Sequence, residues 1–160
     1  MKRLSGVADQ ARLSDAKSIQ KLVNHFADQD RMLHRKLKDI RKDIGDFIVY
    51  RMDGEVVGCA ALHRLSDNLA EIRAVAVREK DQKHGIGRKL VEACLEKAQT
   101  SGIPDVLLLT YEPGYFGRFG FEKTKIKIEN FHHKLYGECL NRPKGPPGKC
   151  GEIAMVYHLS

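Results

Sequence analysis

Gln82-Lys83-His84-Gly85-Ile86-Gly87 joins a predicted strand, residues 69–77, to a predicted helix. Its two glycines let the backbone approach a ligand closely, and the first amides of a helix point towards any anion that binds there. Lys83 and Arg88 add positive charge around the loop. The pattern therefore predicts a pyrophosphate-binding loop, with a simple turn as the alternative.

Two other phosphate motifs do not fit this loop. A dinucleotide-binding fingerprint needs a third glycine where Leu90 stands. A nucleoside-triphosphate loop needs Gly-Lys followed by Ser or Thr, and the chain has no such run. A Rossmann domain and a P-loop domain are therefore both disfavoured.

Hydrophobic periodicity and turn residues predict a chain of mixed strands and helices. Predicted strands cover residues 7–13, 47–52, 56–65, 69–77, 106–110, 122–128 and 152–159. Predicted helices follow the hydroxyl cap Ser14, cover residues 32–44, run from Ile86 to a stop at Gly102, and cover residues 115–119. Asp53-Gly54 predicts a tight hairpin between the second and third strands.

The fourth predicted strand has two different faces. Strict alternation places one set of side chains together, namely Leu69, Glu71, Arg73, Val75 and Val77. The opposite face then carries Ala70, Ile72, Ala74 and Ala76. The first face is the candidate for chemistry, and the second is the candidate for packing.

The composition is that of a soluble globular protein. The 160 residues are 42% hydrophobic and 31% charged, which predicts one domain over residues 1–160. Lys and Arg outnumber Asp and Glu by 28 to 21, and the formal charge of +7 suits an anionic partner. Nucleic acid is disfavoured because the chain has no Trp and no stripe of interleaved aromatic residues.

No targeting or membrane segment is predicted. Residues 1–6 lack the apolar run of a signal peptide, and no stretch reaches the roughly 18 apolar residues of a membrane span. We therefore expect a cytoplasmic protein. Cys59 and Cys94 fall in apolar patterns that suit reduced, buried thiols, and the four cysteines have no paired spacing.

Two motifs carry a resemblance to a known family. Residues 82–87 match the pattern Gln or Arg, two residues, Gly, one residue, Gly or Ala. Phe116-Gly117-Arg118-Phe119-Gly120-Phe121 resembles a segment of the form aromatic-x-x-x-Gly-Phe. With both motifs at the right separation, residues 71–121 resemble the GNAT superfamily of N-acetyltransferases.

Four longer strings resemble a narrower group within that superfamily. They are residues 53–63, Ala70-Glu71-Ile72-Arg73, Leu108-Leu109-Thr110-Tyr111 and Gly151-Glu152-Ile153-Ala154-Met155. Over residues 7–159 the chain resembles the short, stand-alone N-acetylglutamate synthases of arginine biosynthesis. These enzymes acetylate the α-amine of glutamate or of a related amino acid.

The resemblance implies an α/β (α+β) fold. Its sheet is mixed and mostly antiparallel, with about six or seven strands, a splayed central parallel pair and about four flanking helices. The resemblance also implies acetyl-CoA as cofactor, bound through main-chain groups of Val75, Ala76 and Val77 and through the loop. The loop residues are Gln82, Lys83, His84, Gly85, Ile86, Gly87 and Arg88.

The same resemblance suggests catalytic side chains. Glu71 matches the position of a general-base glutamate, with an exposed strand charge or an ion pair as the alternative. Many members use a tyrosine as general acid where this chain has Phe116, which has no proton to donate. Tyr115, Tyr111 and Thr110 are the nearby substitutes, although a thiol with a pKa of about 8.5 leaves without much help.

A dicarboxylate acceptor requires cations, and Arg makes the better paired hydrogen bonds with a carboxylate. Arg35 on the basic second helix and Arg73 beside Glu71 are the first candidates for binding the substrate. Lys134, in the segment before Cys139, is the third. A solvated surface position is the alternative for each.

No metal is predicted. Related proteins often carry a second cysteine where this chain has Arg142. Cys139 and Cys150, even with His132 and His133 nearby, therefore specify a four-ligand zinc site poorly.

Other function classes stay open at this level. The acceptor is a small-molecule amine, with L-glutamate first and with glutamine, a polyamine or a protein N-terminus as alternatives. A coenzyme A sensor without activity is a further class, indicated by the missing acid at Phe116. The sequence also leaves open whether the protein is a homodimer.

Overall fold

The computed structural model describes residues 6–29, 32, 34–110, 112–124 and 153–159. Its strands are β1 (Gly6–Gln10), β2 (Phe47–Met52), β3 (Glu55–Arg64), β4 (Leu69–Val77), β5 (Asp105–Thr110), β6 (Glu122–Lys123) and β7 (Ile153–His158). Its α-helices are α1 (Ala16–Ala27), α2 (Leu37–Lys42), α3 (Ile86–Thr100) and α4 (Pro113–Gly117). The seven described strands form one sheet in the order β1-β2-β3-β4-β5-β7-β6.

Antiparallel pairing dominates this sheet. Every described pair of neighbouring strands is antiparallel except β4 and β5, which are parallel. A parallel pair needs a crossover connection, and α3 supplies it. The mixed, mostly antiparallel sheet with its one parallel pair confirms the fold class predicted from the sequence.

The parallel pair is short. β4 and β5 are in register only where Leu69, Ala70 and Glu71 face the first three residues of β5. Beyond these positions β4 continues beside β3, and β5 continues beside β7. The two central strands therefore separate after Glu71, which is the splay that the resemblance implies.

Helices cover both faces of the sheet. Leu90 and Val91 of α3 belong to the core on one face, together with Ile72 of β4. Ile19 of α1 and Ile40 of α2 belong to the core on the other face. Among the helices of the described residues, none combines the length and the apolar character needed to cross a membrane.

The hairpin between β2 and β3 is the one predicted from Asp53-Gly54. Both residues have positive φ, 53° for Asp53 and 79° for Gly54. A two-residue type I′ turn needs positive φ at both central positions, and Asp-Gly tolerates this at low cost. The local sequence therefore sets the register of these strands at the turn.

A bulge in β4 reverses the direction of its later side chains. The register between β3 and β4 shifts by one residue between Cys59 and Ala61. Ala74 of β4 lies within this shift, and its φ of 53° is in the left-handed region. One extra residue in a strand reverses the alternation beyond it.

Strict alternation along β4 is therefore wrong as a prediction. Val77 joins Ile72 in the core beneath α3, whereas Ala76 joins the core beneath α1 and α2. Glu71 and Arg73 alternate with Ile72 and so project towards the side of α1 and α2. They share a face with each other, but they do not share it with Val77.

The first helix begins differently from its prediction. Ser14 does not cap α1, because the chain already turns as a 3-10 helix over Leu13–Asp15 and α1 begins at Ala16. Asp15 instead accepts a hydrogen bond from the Arg12 amide at 2.8 Å. The start of this helix is thus set by a carboxylate and not by the predicted hydroxyl.

The predicted helix over residues 32–44 is wrong in its first part, because α2 spans only Leu37–Lys42. The Arg35 amide donates to Asn24 Oδ1 at 2.9 Å, and the Arg35 carbonyl accepts from the Asn24 side chain at 3.3 Å. These contacts take up backbone groups that a helix would use. Arg35 therefore lies in the connection between α1 and α2.

The boundaries of several other elements also differ from those predicted. β1 ends at Gln10, three residues before the predicted end, and the brief helix α4 spans Pro113–Gly117 where residues 115–119 were expected. β6 is described at Glu122–Lys123, and residues 125–128 of that predicted strand lie outside the described residues.

A buried ion pair joins the start of α1 to the sheet. The two terminal guanidinium nitrogens of Arg51, Nη1 and Nη2, donate from β2 to the carboxylate of Asp15. The hydrogen bond from Arg51 lowers the pKa of Asp15, against the opposing effect of burial. The ion pair therefore fixes the start of α1 against β2.

Replacing Asp15→Asn is expected to lower the free energy of unfolding at pH 7 by about 2 kcal/mol, because a charged hydrogen-bonded pair is lost. The folded pKa of Asp15 is lowered, so the stabilisation is complete above the unfolded pKa of about 3.9 and is lost as pH falls through the folded value. Urea unfolding at pH 7 and at lower pH measures both effects. The exposed Asp67→Asn is the control, and an equal loss in the two variants would contradict the assignment.

Candidate functional site

The separation of β4 from β5 forms an opening in the sheet. The last parallel pair joins Glu71 to Leu107. Beyond it, β4 keeps β3 as its neighbour on one edge, and no described strand pairs with residues 72–77 on the other edge. Main-chain groups of Val75, Ala76 and Val77 therefore border a space between two strands.

The thiol of Cys59 supports the bulge at this opening. Its Sγ donates to the Ala74 carbonyl at 3.5 Å. Burial raises the pKa of Cys59 to about 12, and burial likewise raises the pKa of Cys94 to about 12. Both are free thiols within the core, as the sequence predicted. Neither is ready to act as a nucleophile.

Side chains hold the loop between β4 and α3 in a fixed shape. Gln82 Nε2 donates to the Val77 carbonyl at 2.9 Å. Arg78 Nε donates to Asp81 Oδ2 at 2.6 Å, and the Asp81 amide donates back to the Arg78 carbonyl at 2.8 Å. Gln82 therefore ties the loop to the end of the strand.

Two residues of this loop have left-handed backbones. Lys83 has a φ of 66° and Gly85 a φ of 83°. The buried side chain of Ile86 then anchors the first turn of α3 in the core. This sequence of conformations turns the chain sharply from β4 into the helix.

Main-chain amides at the start of α3 are available to a ligand. Within the described residues, the N–H groups of residues 83–88 donate to no protein acceptor. The next amide, that of Lys89, donates to the Gly85 carbonyl at 3.1 Å. Free amides at the positive end of a helix dipole form a site for phosphate groups.

The charged side chains of the loop differ in their surroundings. Lys83 and His84 are exposed. Arg88 Nε donates to Glu92 Oε1 at 2.9 Å, and its guanidinium lies 5.4 Å from the centre of the Phe119 ring. Arg88 thus lies beside the loop and already forms an ion pair with Glu92.

Glu71 and Arg73 form a buried ion pair at the base of the opening. Arg73 Nε donates to Glu71 Oε1. The side chain of Glu71 is 5% exposed and that of Arg73 is 11% exposed. The structure thus brings the proposed base and one proposed substrate-binding residue together, as the sequence predicted for neighbours on one face.

Arg35 belongs to the same side of the sheet. Its charge acts on the Cys59 thiol, which lies in the core beneath α1 and α2. Gln20 and Asn24 of α1 hold its backbone carbonyl, each at 3.3 Å. Lys134, the third proposed substrate-binding residue, lies outside the described residues.

Tyr115 lies at the phosphate loop. A Cβ added to Gly87 would be 3.3 Å from the Tyr115 hydroxyl, so that hydroxyl lies over the first turn of α3. Its ring makes edge contacts with Phe116 and Phe119. Burial raises the pKa of Tyr115, with a further contribution from Glu112, so the phenol keeps its proton at neutral pH.

Thr110, the other described candidate for an acid, is buried and already engaged. Its Oγ1 accepts a hydrogen bond from the Glu112 amide at 2.8 Å, which sets the turn into α4. This hydrogen bond gives the Thr110 side chain a structural role in the turn between β5 and α4. Tyr111, Cys139 and Cys150 lie outside the described residues.

Sequence reasoning missed two features of the site. The first is the bulge at Ala74, which no glycine or proline in β4 signals. The second is the Asp46–His63 pair, whose Oδ2 and Nδ1 atoms are 2.8 Å apart. Writing His63 opposite Glu71 across the predicted antiparallel strands would have brought this histidine to notice.

Known proteins resemble this chain over most of its length. An uncharacterized N-acetyltransferase of Chlorobaculum tepidum is 39% identical over 149 residues, covering 93% of this chain and 94% of that protein. An amino-acid acetyltransferase of Mycobacterium tuberculosis is 37% identical over 131 residues, covering 78% of this chain and 75% of that protein.

Two solved structures are similar to this chain over nearly its whole length. Rv2747 from Mycobacterium tuberculosis, in complex with CoA and a second ligand, superposes with a TM-score of 0.82 at 31% identity, over 96% of this chain and 99% of that chain. N-acetylglutamate synthase from Neisseria gonorrhoeae has a TM-score of 0.81 at 24% identity, over 99% of this chain and 36% of that chain. The second likeness concerns the fold alone.

A protein-family model places these likenesses in one group. The model described as Acetyltransferase (GNAT) family matches residues 13–121, which contain the opening, the bulge and the amide loop. This chain therefore belongs to the GNAT family of acetyltransferases.

Proposed function

We propose that this protein transfers the acetyl group of acetyl-CoA to the α-amine of an amino acid, with L-glutamate as the acceptor, the first step of arginine biosynthesis. The observation that carries the proposal is the end of the parallel pairing at Glu71. A buried carboxylate stands there, where two strands open beside a loop of free amides.

The residues around the loop fit the diphosphate of coenzyme A. The free amides of residues 83–88 can donate to phosphate oxygens, and Lys83 and Arg88 add positive charge. The Tyr115 hydroxyl over Gly87 offers one more donor to the same group. When bound, acetyl-CoA supplies an acetyl thioester that an amine can attack.

The open edge of β4 fits the pantetheine arm. Beyond Glu71, main-chain groups of Val75, Ala76 and Val77 border the opening without a described β5 partner. The left-handed backbone at Ala74 redirects the amide of Val75. That amide is our candidate for stabilising the oxyanion, a role for preorganised N–H donors.

Glu71 is suited to remove a proton from the acceptor amine. It is buried, it is held by Arg73, and it stands at the base of the opening. Its fixed position would reduce the cost of orienting a base during the reaction. Glu71 therefore takes the base role in the proposal.

Arginines on the same side of the sheet suit an acceptor with carboxylates. Arg73 lies beside Glu71, and Arg35 is held between α1 and α2 on that side. Lys134 stays a proposed third contact. The name of the Mycobacterium tuberculosis relative, an amino-acid acetyltransferase, supports this class of acceptor.

The described cysteines favour direct attack by the amine. Burial raises the pKa of Cys59 and Cys94 to about 12, so neither provides a thiolate to carry the acetyl group. Tyr115 stands over the loop and Thr110 bonds the Glu112 amide, so neither is our first choice as acid. Water can protonate a leaving thiolate whose pKa is about 8.5.

The acceptor proposal is tested by a panel of amines with acetyl-CoA, with thiol release as the readout. We expect L-glutamate to give the highest kcat/KM, because its two carboxylates match the nearby arginines. L-Glutamine, a polyamine and a peptide N-terminus are the comparison substrates. Binding of coenzyme A without turnover on any amine would contradict the proposal and favour a sensor.

The base proposal is tested by Glu71→Gln. We expect kcat at neutral pH to fall about 100-fold, because an amide cannot accept the proton. Activity should partly recover as pH rises and more of the amine is already neutral. Glu96→Gln, an exposed position on α3, is the control. Unchanged turnover in Glu71→Gln would exclude the base role.

The loop proposal is tested by Gly85→Val and its matched control Gly54→Val. Both glycines have left-handed backbones, with no atom within 4 Å of an added Cβ, so both variants carry similar strain. We expect only Gly85→Val to weaken coenzyme A binding, by about tenfold or 1.4 kcal/mol. Calorimetry measures the Kd. Equal Kd values in the two variants would count against the loop as the diphosphate site.

A further inference from the structure

A histidine lies directly across from Glu71 on the neighbouring strand. His63 of β3 is the register partner of Glu71 of β4. Directly opposed residues of an antiparallel pair project from the same face, with Cβ atoms about 4.5–5.5 Å apart. His63 therefore stands beside the carboxylate that we propose as the base.

Asp46 orients the ring of His63. Asp46 Oδ2 lies 2.8 Å from His63 Nδ1. Because a carboxylate accepts from an N–H group, Nδ1 carries the hydrogen and the neutral ring has its lone pair on Nε2. Within the described residues, Nε2 makes no hydrogen bond. The pair thus holds a basic nitrogen on the face that carries Glu71.

The side chains of His63 and Asp46 are more exposed to solvent than that of Glu71. The side chain of Glu71 is 5% exposed, whereas those of His63 and Asp46 are 36% and 30% exposed. A proton taken up by the buried carboxylate has no direct contact with bulk water. His63 is the register partner of this buried carboxylate, and its own side chain reaches solvent.

The proposed reaction requires a path by which a proton can leave the site. An ammonium group that becomes an amide loses two protons, one of which ends on the thiol of coenzyme A. The other must leave the protein in every turnover. A buried base needs a group that returns it to its carboxylate form.

We propose that His63, oriented by Asp46, is a proton-relay residue that carries the amine proton from Glu71 to solvent; this rests on the proposed function. The N–H bond of the amine breaks, and the proton moves to the Glu71 carboxylate. It then moves to His63 Nε2, directly or through one water, and forms an imidazolium that Asp46 stabilises. Loss of the Nε2 proton to solvent restores the starting state.

Charged groups of both signs surround the ring. Asp46 faces it from the turn before β2, and Glu71 and Arg73 face it from β4. Lys97 of α3 bonds the Gly45 carbonyl and adds a positive charge near Asp46. A change in the pH profile must therefore be traced to His63 by comparing variants at more than one of these positions.

A purely structural role is the alternative for this pair. Asp46 and His63 also tie the turn before β2 to the end of β3. A structural role would change the stability of the fold. A relay changes kcat and its dependence on pH while both KM values stay near those of the wild type.

The kinetic test uses His63→Gln, whose amide cannot carry a proton. We expect kcat to fall about tenfold or more at neutral pH, with partial rescue by added imidazole, and we expect the difference from wild type to shrink as pH falls, because a protonated ring cannot accept another proton. Asp46→Asn should give a smaller loss. The control is His158→Gln, which removes a similar contact, 2.7 Å from His158 Nδ1 to Asp105 Oδ1, away from Glu71.

A second test needs no acceptor. Histidine resonances of the free protein are titrated in the wild type and in Glu71→Gln, with His63 assigned from the spectrum of His63→Gln. We expect the His63 midpoint to move to lower pH in Glu71→Gln, because a neighbouring negative charge is lost. An unchanged midpoint would show that the two side chains are not coupled and would overturn the relay.

The outcomes separate the two proposals. A wild-type protein that acetylates amino acids, with an unchanged kcat in His63→Gln, would overturn the relay alone. A wild-type protein inactive on every amine would overturn the proposed function and the relay with it. Loss of kcat without rescue, equal to that in His158→Gln, would identify a structural contact and overturn the relay.

Discussion

The short parallel contact between β4 and β5 is the constraint on which the rest of the structure depends. Three residue pairs hold the strands together up to Glu71, after which each strand keeps only its antiparallel neighbour. A sheet paired along its full length would satisfy the main-chain groups of residues 72–77 internally. Because the pairing stops, residues 72–77 have no described strand on their β5 side, and this edge of β4 leads into the loop whose free amides begin α3. In our proposal the cofactor lies in this opening.

The bulge at Ala74 divides the two halves of β4 between opposite faces. A left-handed backbone at a residue other than glycine costs about 1–2 kcal/mol, and the Cys59 thiol and the core around it hold the strand in this shape. Val77 then packs with α3, and Glu71 projects towards α1 and α2. In our proposal, cofactor and acceptor therefore approach the same strand from different sides.

Buried charges lie on the face of β4 that our proposal assigns to the acceptor. Glu71 and Arg73 are both removed from water, and such a pair rarely adds net stability because desolvation offsets most of its attraction. A buried pair with little structural benefit, at the point where the parallel pairing ends, fits the catalytic role that we propose for Glu71. The Asp46–His63 pair next to it extends the row of ionisable groups from the interior towards solvent.

The sequence by itself determined the features that depend on local patterns. Asp53-Gly54 predicted the hairpin, the apolar spacing predicted α1 and α3, and the loop glycines predicted the turn into α3. Only the tertiary structure decided the rest. The bulge at Ala74 reflects pairing with β3, and Arg35 left its predicted helix because Asn24 of α1 binds its backbone. Side chains and strands distant in sequence supply these contacts, so no local pattern records them.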